Sequence, residues 1–366
     1  MSCTNELENF LRFLSMFDLT ESKIRQLIAA MNDDFSLKHF CRMKIDKDLL
    51  SEDAVYKMRE RAEQARIDTY IKNLSDQDII LLTRFDERFP ESLRVLPDAP
   101  YYLFCKGDIS LLKKPALSVV GTRKPSSYGR VVTNRIVSKV AKQGIVIVSG
   151  LAYGIDSLAH RACLDEGGNT IAVLGSGFNR IYPPDHQGLA DEIAQKGLLV
   201  SEYTPSRSAT RYTFPHRNRI IAALSSGTLI TEASIKSGTI HTKEFALTYG
   251  KNIYSVPGNI DSPTSELTND IIKSGQARCI TCAEDILSDY GFQSLPKAKT
   301  KAANNTAIQL TVEEQAITSL LEDGMKDVDF LTKNCGLNID DFQSCLTMLE
   351  IRGIISRLPG GLISLK

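Results

Sequence analysis

The chain has 366 residues, and its 44 basic and 44 acidic side chains give a formal net charge of zero. A hydrophobic content of 42% provides enough apolar surface for a sizeable core, which excludes disorder over most of the chain. The neutral total excludes a uniformly basic protein, but residues 101–283 carry +8 while residues 1–100 and 284–366 carry −4 each. Residues 109–155 and 203–231 contain no acid at all. This segregation predicts an anionic partner for the middle of the chain.

The first 75 residues have the apolar spacing of several short helices and predict a small helical (SAM-like) domain, 1–75. Thr20 can cap a second helix, and Ser51 can cap a longer one that reaches about Lys72. The N-terminus lacks the apolar core of a signal peptide, and no apolar run approaches the ~18 residues of a membrane span. We therefore expect a cytoplasmic protein with no membrane partner.

Short β-branched runs then alternate with glycines and helical stretches over residues 76–290. This repeat predicts an α/β fold, an extended Rossmann-like domain built on a parallel sheet with helices on both faces. Ligands of such sheets bind at the carboxyl ends of the strands, where the glycines and several basic residues of this chain fall.

Residues 291–310 contain few large apolar side chains and predict a flexible linker. In the last domain, 311–366, Thr311 and Glu314 form a capping box ahead of a helix. Two more helices and a hairpin around Pro359 follow, which together predict a winged helix.

Motifs of catalysis are missing, so we predict no catalytic residue, no metal and no cofactor. There is no GxSxG, HExxH or GxxxxGK[ST] motif. Cys279 and Cys282 form a CxxC without the second ligand pair that zinc needs, and we assign them a structural role. His160 follows Asp156 by one helical turn, and we favour an intrahelical hydrogen bond over a catalytic pair.

The turn Gly175-Ser176-Gly177 is similar to the opening of a dinucleotide-binding loop. Arg180 replaces the third glycine, which disfavours an NAD site even though Glu202 ends the next predicted strand. Because glycines let backbone N–H groups approach an anion closely, we expect this turn to contact phosphate instead.

The segment RSATRYTFPHRNR (207–219) combines arginines with Tyr212 and Phe214. Arginine binds phosphate through paired hydrogen bonds, and an aromatic ring stacks on a base at ~1–3 kcal/mol per base. This mixture predicts single-stranded nucleic acid, whose bases are free to stack. The alternative is that Phe214 packs in the core and the arginines pair with acids. The lack of acids over 203–231 disfavours pairing of the arginines.

Six segments resemble one protein family. They are GTRKPSSYG (121–129), SGLAYGIDSLAH (149–160), TIAVLGSGFNRIYPP (170–184), FPHRNRIIAALS (214–225), EASIKSGT (232–239) and VPGNIDSPTSE (256–266). In this order, within about residues 75–285, they are similar to the DNA-processing protein A family (DprA, also called Smf). The resemblance implies a bacterial cytosolic protein of natural transformation that binds and protects incoming single-stranded DNA, forms a homodimer and helps load the RecA recombinase.

The resemblance also assigns residues to roles. It implies that Gly121 and Arg123 contact phosphate, that other glycines line the pocket and that Phe214 stacks on a base. The DNA-binding residues that we predict are Gly121, Arg123, Gly150, Gly154, Gly175, Ser176, Gly177, Arg211, Phe214, Arg217, Asn218 and Arg219. The implied dimer face is near residues 266–280, with Ile271, Ile272 and Ile280 as its apolar candidates. The segments 237–251 and 265–272 depart from the family pattern, and we expect them near this dimer face and away from the basic pocket.

Two other functions compete with this interpretation. SSGTLITEA (225–233) is faintly similar to the Gly-Thr-x-x-Glu signature of Rossmann-like nucleotide hydrolases, with Glu232 as the candidate acid. A regulator reading duplex DNA through the winged helix is the second alternative. Its predicted recognition helix, 339–352, carries three acids against Arg352 alone, so we expect this domain to contact protein or its own chain.

Overall fold

The computed structural model describes residues 3–292, 310–321, 324–358 and 362–365. Residues 1–294 belong to one structural unit and residues 295–366 to a second. Most of the predicted linker, 291–310, lies outside the described residues. The boundary predicted at residue 75 falls inside the first unit and stays a prediction.

Five helices open the chain: α1 (Cys3–Leu14), α2 (Glu21–Ala30), α3 (Leu37–Arg42), α4 (Glu52–Glu60) and α5 (Gln64–Ser75). The hydroxyls of Thr20 and Ser51 cap α2 and α4 as predicted. The single helix expected from Ser51 to Lys72 is wrong, because the chain breaks between α4 and α5. The break allows Met58 and Ile67, which lie on opposite sides of it, to enter the same core. That core also contains Tyr102 and Phe104, so the helices pack against the sheet that follows.

A nine-stranded sheet forms the centre of the first unit. Its strands are β1 (Ile80–Thr83), β2 (Tyr102–Gly107), β3 (Ala116–Val120), β4 (Val146–Ser149), β5 (Thr170–Leu174), β6 (Leu198–Ser201), β7 (Gly227–Ile230), β8 (Asn252–Ser255) and β9 (Arg278–Cys279). They are ordered β1-β2-β6-β5-β4-β3-β7-β8-β9. In this spatial order, every neighbouring pair from β6 through β5, β4, β3, β7 and β8 to β9 is parallel. The strands β1 and β2 form an antiparallel edge beside β6. The predicted α/β fold with a Rossmann-like parallel core is confirmed.

The strand order reverses at β3, which pairs with β4 on one side and with β7 on the other. The chain first builds the sheet outward from β3 to β6 and then returns to add β7, β8 and β9. Connections leave on opposite faces at such a reversal, so a crevice opens at the carboxyl ends of the two strands beside it. The position of the crevice therefore follows from the topology.

Eight helices accompany the sheet: α6 (Glu91–Arg94), α7 (Ser127–Lys142), α8 (Ile155–Asp165), α9 (Gln187–Lys196), α10 (Thr213–Ala223), α11 (Thr239–Thr248), α12 (Glu266–Lys273) and α13 (Glu284–Leu287). They cover both faces, since Val146 and Val148 of β4 enter one apolar core and Ile147 enters another. Within the described ranges no helix combines the length and the apolar character required to cross a bilayer.

The second unit contains α14 (Val312–Leu321), α15 (Val328–Asn334), α16 (Ile339–Ile351) and the strands β10 (Lys326–Asp327), β11 (Ile355–Leu358) and β12 (Leu362–Leu365). The strands pair antiparallel in the order β10-β12-β11. Three helices beside this small sheet confirm the winged helix. The capping box is confirmed too, because Thr311 N donates to Glu314 and Glu314 N donates to Thr311.

Candidate nucleic-acid interface

A cleft of ≈ 790 Å³ opens at the strand reversal, between the loop that follows β3 and the helices α10 and α11. Four cations contribute to its walls: Arg123, Lys124, Arg211 and Arg217. Among the described residues that line it, Asp156 is the one acid. The acid-free stretches of the sequence therefore meet in space and give the cleft an excess of positive charge.

Helix α10 carries the central part of the cleft. Phe214, Arg217 and Asn218 line it, and their spacing of three and four residues places them on one helical face. The helix starts where Thr213 Oγ1 accepts a hydrogen bond from Thr210 N and donates one to Thr210 O. These bonds fix the direction in which Phe214 leaves the loop.

Arg217 is a buried cation that forms no direct ion pair, although the buried carboxylate of Asp156 lies near enough to interact with it electrostatically. Its side chain is 3% exposed, and its Nη1 donates to the backbone oxygens of Gly150, at 2.8 Å, and Val173. No ion pair within 4.0 Å joins it to any carboxylate that the structure describes. Burial lowers its pKa to about 10, and the guanidinium still remains charged at neutral pH. A buried cation that borders a cleft and makes no direct ion pair is suited to binding an anion.

The Phe214 ring is half-buried and rests on the backbone of Gly175. A Cβ atom at position 175 would lie 2.8 Å from the ring, so only glycine allows this contact. The ring centroid of Tyr182 lies 5.3 Å from that of Phe214, and the guanidinium of Arg123 lies 5.8 Å from it. The alternative in which Phe214 is enclosed in the core is thus wrong, and its ring borders the cleft.

Three cations at the rim are free of acids. Arg123, Lys124 and Arg211 are exposed, and none of them forms an ion pair with a carboxylate among the described residues. Arg211 lies 4.7 Å over the ring of Tyr212 and donates to its hydroxyl. These side chains can turn toward a ligand without breaking a salt bridge.

Most of the predicted glycines have a packing role. A Cβ at Gly150 would lie 2.6 Å from Arg217 Nη2, so this glycine makes room for the buried guanidinium. A Cβ at Gly121 would meet Ile155 at 2.6 Å, although Gly121 also lines the cleft. Gly154, with a φ of 79°, packs against the backbone of Thr122 and Arg123 and lines a neighbouring depression.

The turn Gly175-Ser176-Gly177 does not line the cleft, which corrects the phosphate contact predicted for it. Ser176 is buried, and Gly177 N donates to Arg207 O at 2.8 Å. A Cβ at Gly177 would lie 2.0 Å from Thr204 O. The turn is therefore covered by the segment that follows β6, and its glycines allow that segment to approach.

Arg219 has a structural role, which corrects its predicted contact with DNA. It lies five positions after Phe214 and points to another side of α10, where its Nη2 contacts Glu202 Oε1 at 2.5 Å. Arg219 is only 1% exposed. Although burial alone would raise the pKa of Glu202, Arg219 and His216 lower it. The expectation that these arginines lack acidic partners is thus wrong for Arg219, and it is also wrong for Arg207, which pairs with Asp18.

Asp156 and His160 do not bond to each other, so the intrahelical hydrogen bond favoured from their spacing is wrong. Asp156 Oδ2 accepts from Gly150 N at 3.0 Å. His160 Nδ1 lies 2.7 Å from Thr170 Oγ1, and burial lowers the pKa of His160 to about 3, which keeps it neutral. Since Thr170 donates its proton to Ile147 O, the histidine ring donates to Thr170. Across the described residues no group of three His, Cys, Asp or Glu side chains could hold a metal.

Glu232 lies outside the cleft, beside the start of α7. It is 1% exposed, and its carboxylate accepts from Ser126 N at 2.9 Å, from Ser126 Oγ and from Thr264 Oγ1. Gly227 and Thr228, the start of the signature similar to that of nucleotide hydrolases, lie within β7 and not at a helix N-terminus. This arrangement gives Glu232 a structural role and does not support it as an acid that acts in the cleft.

Two of the three dimer candidates are inside the protomer. Ile271 and Ile280 are buried in apolar cores, so their side chains are not available to a partner, whereas Ile272 is half-buried. Segment 237–251, which departs from the family pattern, was expected away from the basic pocket, and this expectation is wrong. Its residues Ser237, Gly238, Thr239, His241 and Thr242 line the cleft at the start of α11.

Sequence reasoning missed Tyr182, Lys124 and the start of α11 as parts of the cleft. Tyr182 and Lys124 lie inside segments that resemble the family, and Lys124 belongs to the longest acid-free stretch. A count of all cations in those stretches would have found Lys124. For α11 no comparable signal exists, since its role depends on the strand reversal.

Comparison with family models matches residues 80–291 to "DNA recombination-mediator protein A" and residues 301–361 to "DprA winged helix domain". Protein Smf of Escherichia coli is 35% identical over 290 residues, which are 78% of this chain and 77% of that protein. The DNA processing protein DprA of Streptococcus pneumoniae is 39% identical over 207 residues, or 57% of this chain and 73% of that protein.

The solved structures that are similar to this chain include two of DNA processing protein A. The X-ray structure of DNA processing protein A from Streptococcus pneumoniae has a TM-score of 0.63 at 30% identity and covers 77% of this chain and 97% of its own. A structure of DNA processing protein A from Helicobacter pylori, which concerns its single-stranded DNA binding mode, has a TM-score of 0.53 at 32% identity. The aligned region covers 58% of this chain and 95% of the Helicobacter pylori chain.

Proposed function

The chain belongs to the DNA recombination-mediator protein A family, and from that premise we propose that it binds single-stranded DNA without regard to base sequence. The observation that carries the proposal is the excess of cations in the cleft, where Arg217 is buried without a direct ion pair and the described lining holds four cations against the one acid Asp156. A backbone phosphate would balance the positive charge that exceeds the charge of Asp156. The rim cations Arg123, Lys124 and Arg211 hold neighbouring phosphates.

A base stacks on Phe214 in this proposal. The ring is fixed by Gly175 and flanked by Tyr182 and Arg123, so little side-chain entropy is lost on binding. Stacking is sequence-tolerant because every base has a π-face, and a duplex would have to unstack to place a base there. Phe214 therefore favours single strands over duplex DNA.

The same proposal extends to the biological role. The protein protects incoming DNA in the cytoplasm during natural transformation and loads a RecA recombinase onto it, without a catalytic step or a cofactor. It acts as a homodimer, for which Ile272 is the remaining apolar candidate after Ile271 and Ile280. The family description as a recombination mediator supports this role.

Binding of labelled oligothymidylate and of a matched duplex, measured by fluorescence anisotropy at several salt concentrations, tests DNA binding. We expect a preference for the single strand and a logarithmic salt slope that Arg123→Ala reduces by about 0.7, the value of one phosphate contact on a single strand. Arg135→Ala is the matched control, because Arg135 is an exposed cation of α7 that does not line the cleft. Equal affinity for both DNA forms, or equal slopes for wild type and Arg123→Ala, would contradict the proposal.

Loading is tested separately, by the rate at which RecA forms filaments on DNA coated with a single-strand binding protein. We expect the full chain to accelerate this step and Arg217→Met to abolish the acceleration. Sedimentation of wild type and Ile272→Arg tests the dimer. A protein that binds single strands but does not accelerate filament formation would refute the role in loading while leaving DNA binding intact.

A further inference from the structure

A second depression lies beside the cleft, formed by the loop after β3 and the first turns of α7 and α8. We call it the α7–α8 groove and define it by Arg123, Lys124, Arg130, Tyr153 and Ser157. We propose that this groove is a second binding site for the same DNA strand, in which Tyr153 stacks on a further base and Arg130 binds a further phosphate. The inference rests on the proposed function and extends it by a defined subsite.

The groove and the cleft are neighbours that share part of their lining. Arg123 and Lys124 line both, so these two cations form a bridge from one to the other. The groove has a volume of ≈ 450 Å³, smaller than the cleft. A strand whose base lies on Phe214 and whose phosphate contacts Arg123 reaches the groove when it continues past the Arg123-Lys124 edge.

Tyr153 offers a ring that is held in place. It is 41% exposed, its hydroxyl donates to Asp185 Oδ2 at 2.8 Å, and the ring of His186 contacts it edge-on with centroids 4.9 Å apart. Because the hydroxyl is already bonded, the exposed part of Tyr153 acts through its aromatic surface. A fixed and exposed ring beside free cations is the arrangement that also surrounds Phe214.

The cations at the two ends of α7 differ in whether they pair with acids. Lys139 pairs with Glu284 at 3.1 Å and Lys142 pairs with Glu166 at 3.0 Å, so the cations near the end of the helix are neutralised. Arg130, in the first turns, forms no ion pair within the described parts of the chain. A free cation is thus left where α7 borders the groove.

The test compares short and long oligonucleotides, because a subsite beyond the cleft is used only by a strand long enough to reach it. We measure anisotropy with oligothymidylates of about 4 and about 16 nucleotides, which bracket the footprints of single-strand binding sites. For the longer strand, we expect Tyr153→Ala to lower affinity about 5-fold or more, and Arg130→Ala to reduce the salt slope by about 0.7. The shorter strand should bind both variants as it binds wild type.

Two controls separate stacking and charge from indirect effects. Tyr153→Phe keeps the ring and should bind the longer strand as wild type does, and Arg135→Ala removes a cation of α7 outside the groove. Wild-type binding of the 16-mer by both Tyr153→Ala and Arg130→Ala would overturn the inference, as would an equal loss for both lengths. Failure of the wild-type protein to bind either length would refute the proposed function instead.

Discussion

Replacing Phe214 with alanine separates stacking from charge in the proposed interface. The substitution removes a half-buried ring and no charge, while the buried guanidinium of Arg217 remains one helical turn away. Stacking of one base contributes ~1–3 kcal/mol, which corresponds to about a 5- to 150-fold loss of affinity for single strands. The number of phosphate contacts is unchanged, so the salt slope should stay within experimental error of wild type.

Two side chains beside the ring also lose a contact in this variant. Without the ring, Tyr182 loses its aromatic neighbour and Arg123 loses its cation–π contact, which is worth ~0.5–1 kcal/mol at an exposed site. Both side chains then become more mobile at the place where a base should bind. Gly175 contributes nothing in exchange, since it has no side chain to fill the gap.

The assay is equilibrium anisotropy with labelled oligothymidylate between low and moderate salt. Phe85→Ala is the matched control, because Phe85 is also a partly exposed phenylalanine but lies outside the cleft. Two outcomes would refute the reasoning. One is unchanged affinity for Phe214→Ala, and the other is a loss that vanishes at high salt, which would show that the ring acts through charge and not through stacking.

Three further predictions concern other parts of the molecule. Arg219→Met should lower the free energy of unfolding, measured in urea, by about 3–5 kcal/mol, because it leaves the buried Glu202 without its partner. An unchanged urea midpoint would refute the structural role of Arg219. Arg219 and His216 lower the pKa of Glu202 in the folded protein. The stability that Glu202 contributes should therefore be complete above its ordinary pKa of 4.5 and should be lost as the pH falls through the lowered pKa of the folded state. In unfolding experiments at a series of pH values, Glu202→Gln should lack this loss of stability in acid. The isolated residues 311–366, with their acidic helix α16, should not shift duplex DNA in a gel, and a shift would refute the expectation that this unit contacts protein.

The sequence predicted much of the sheet because β3, β4 and β5 are short buried runs that each end at a glycine. It did not indicate the antiparallel edge formed by β1 and β2. That edge depends on pairing between β2 and β6, which are almost a hundred residues apart. The break between α4 and α5 was also missed, since helical spacing continues across it and only the shared core requires the turn.

Arg217 and Arg219 show why the site was only partly predictable. Both are buried arginines of one motif, but the two-residue step along α10 sends one to the cleft and the other to Glu202. The acid-free stretch begins at residue 203, so an analysis of neighbours along the chain stops one residue short of the partner. Glycines create a similar ambiguity. A glycine can be required so that a phosphate approaches the backbone, or so that a side chain such as Phe214 packs against it, and the sequence does not distinguish these two reasons.

The neutral total charge has a physical consequence once the ion pairs are known. Many cations elsewhere in the first unit are paired with acids, such as Lys139 with Glu284 and Arg207 with Asp18, and they contribute little to the field at a distance. The rim cations Arg123, Lys124 and Arg211 form no ion pair among the described residues, and Arg217 remains charged in spite of a pKa that burial has lowered. Burial of a cation that makes no direct ion pair is unfavourable in the free protein, and a bound phosphate relieves this cost. The positive field is therefore concentrated where the ligand should bind, although the chain as a whole carries no net charge.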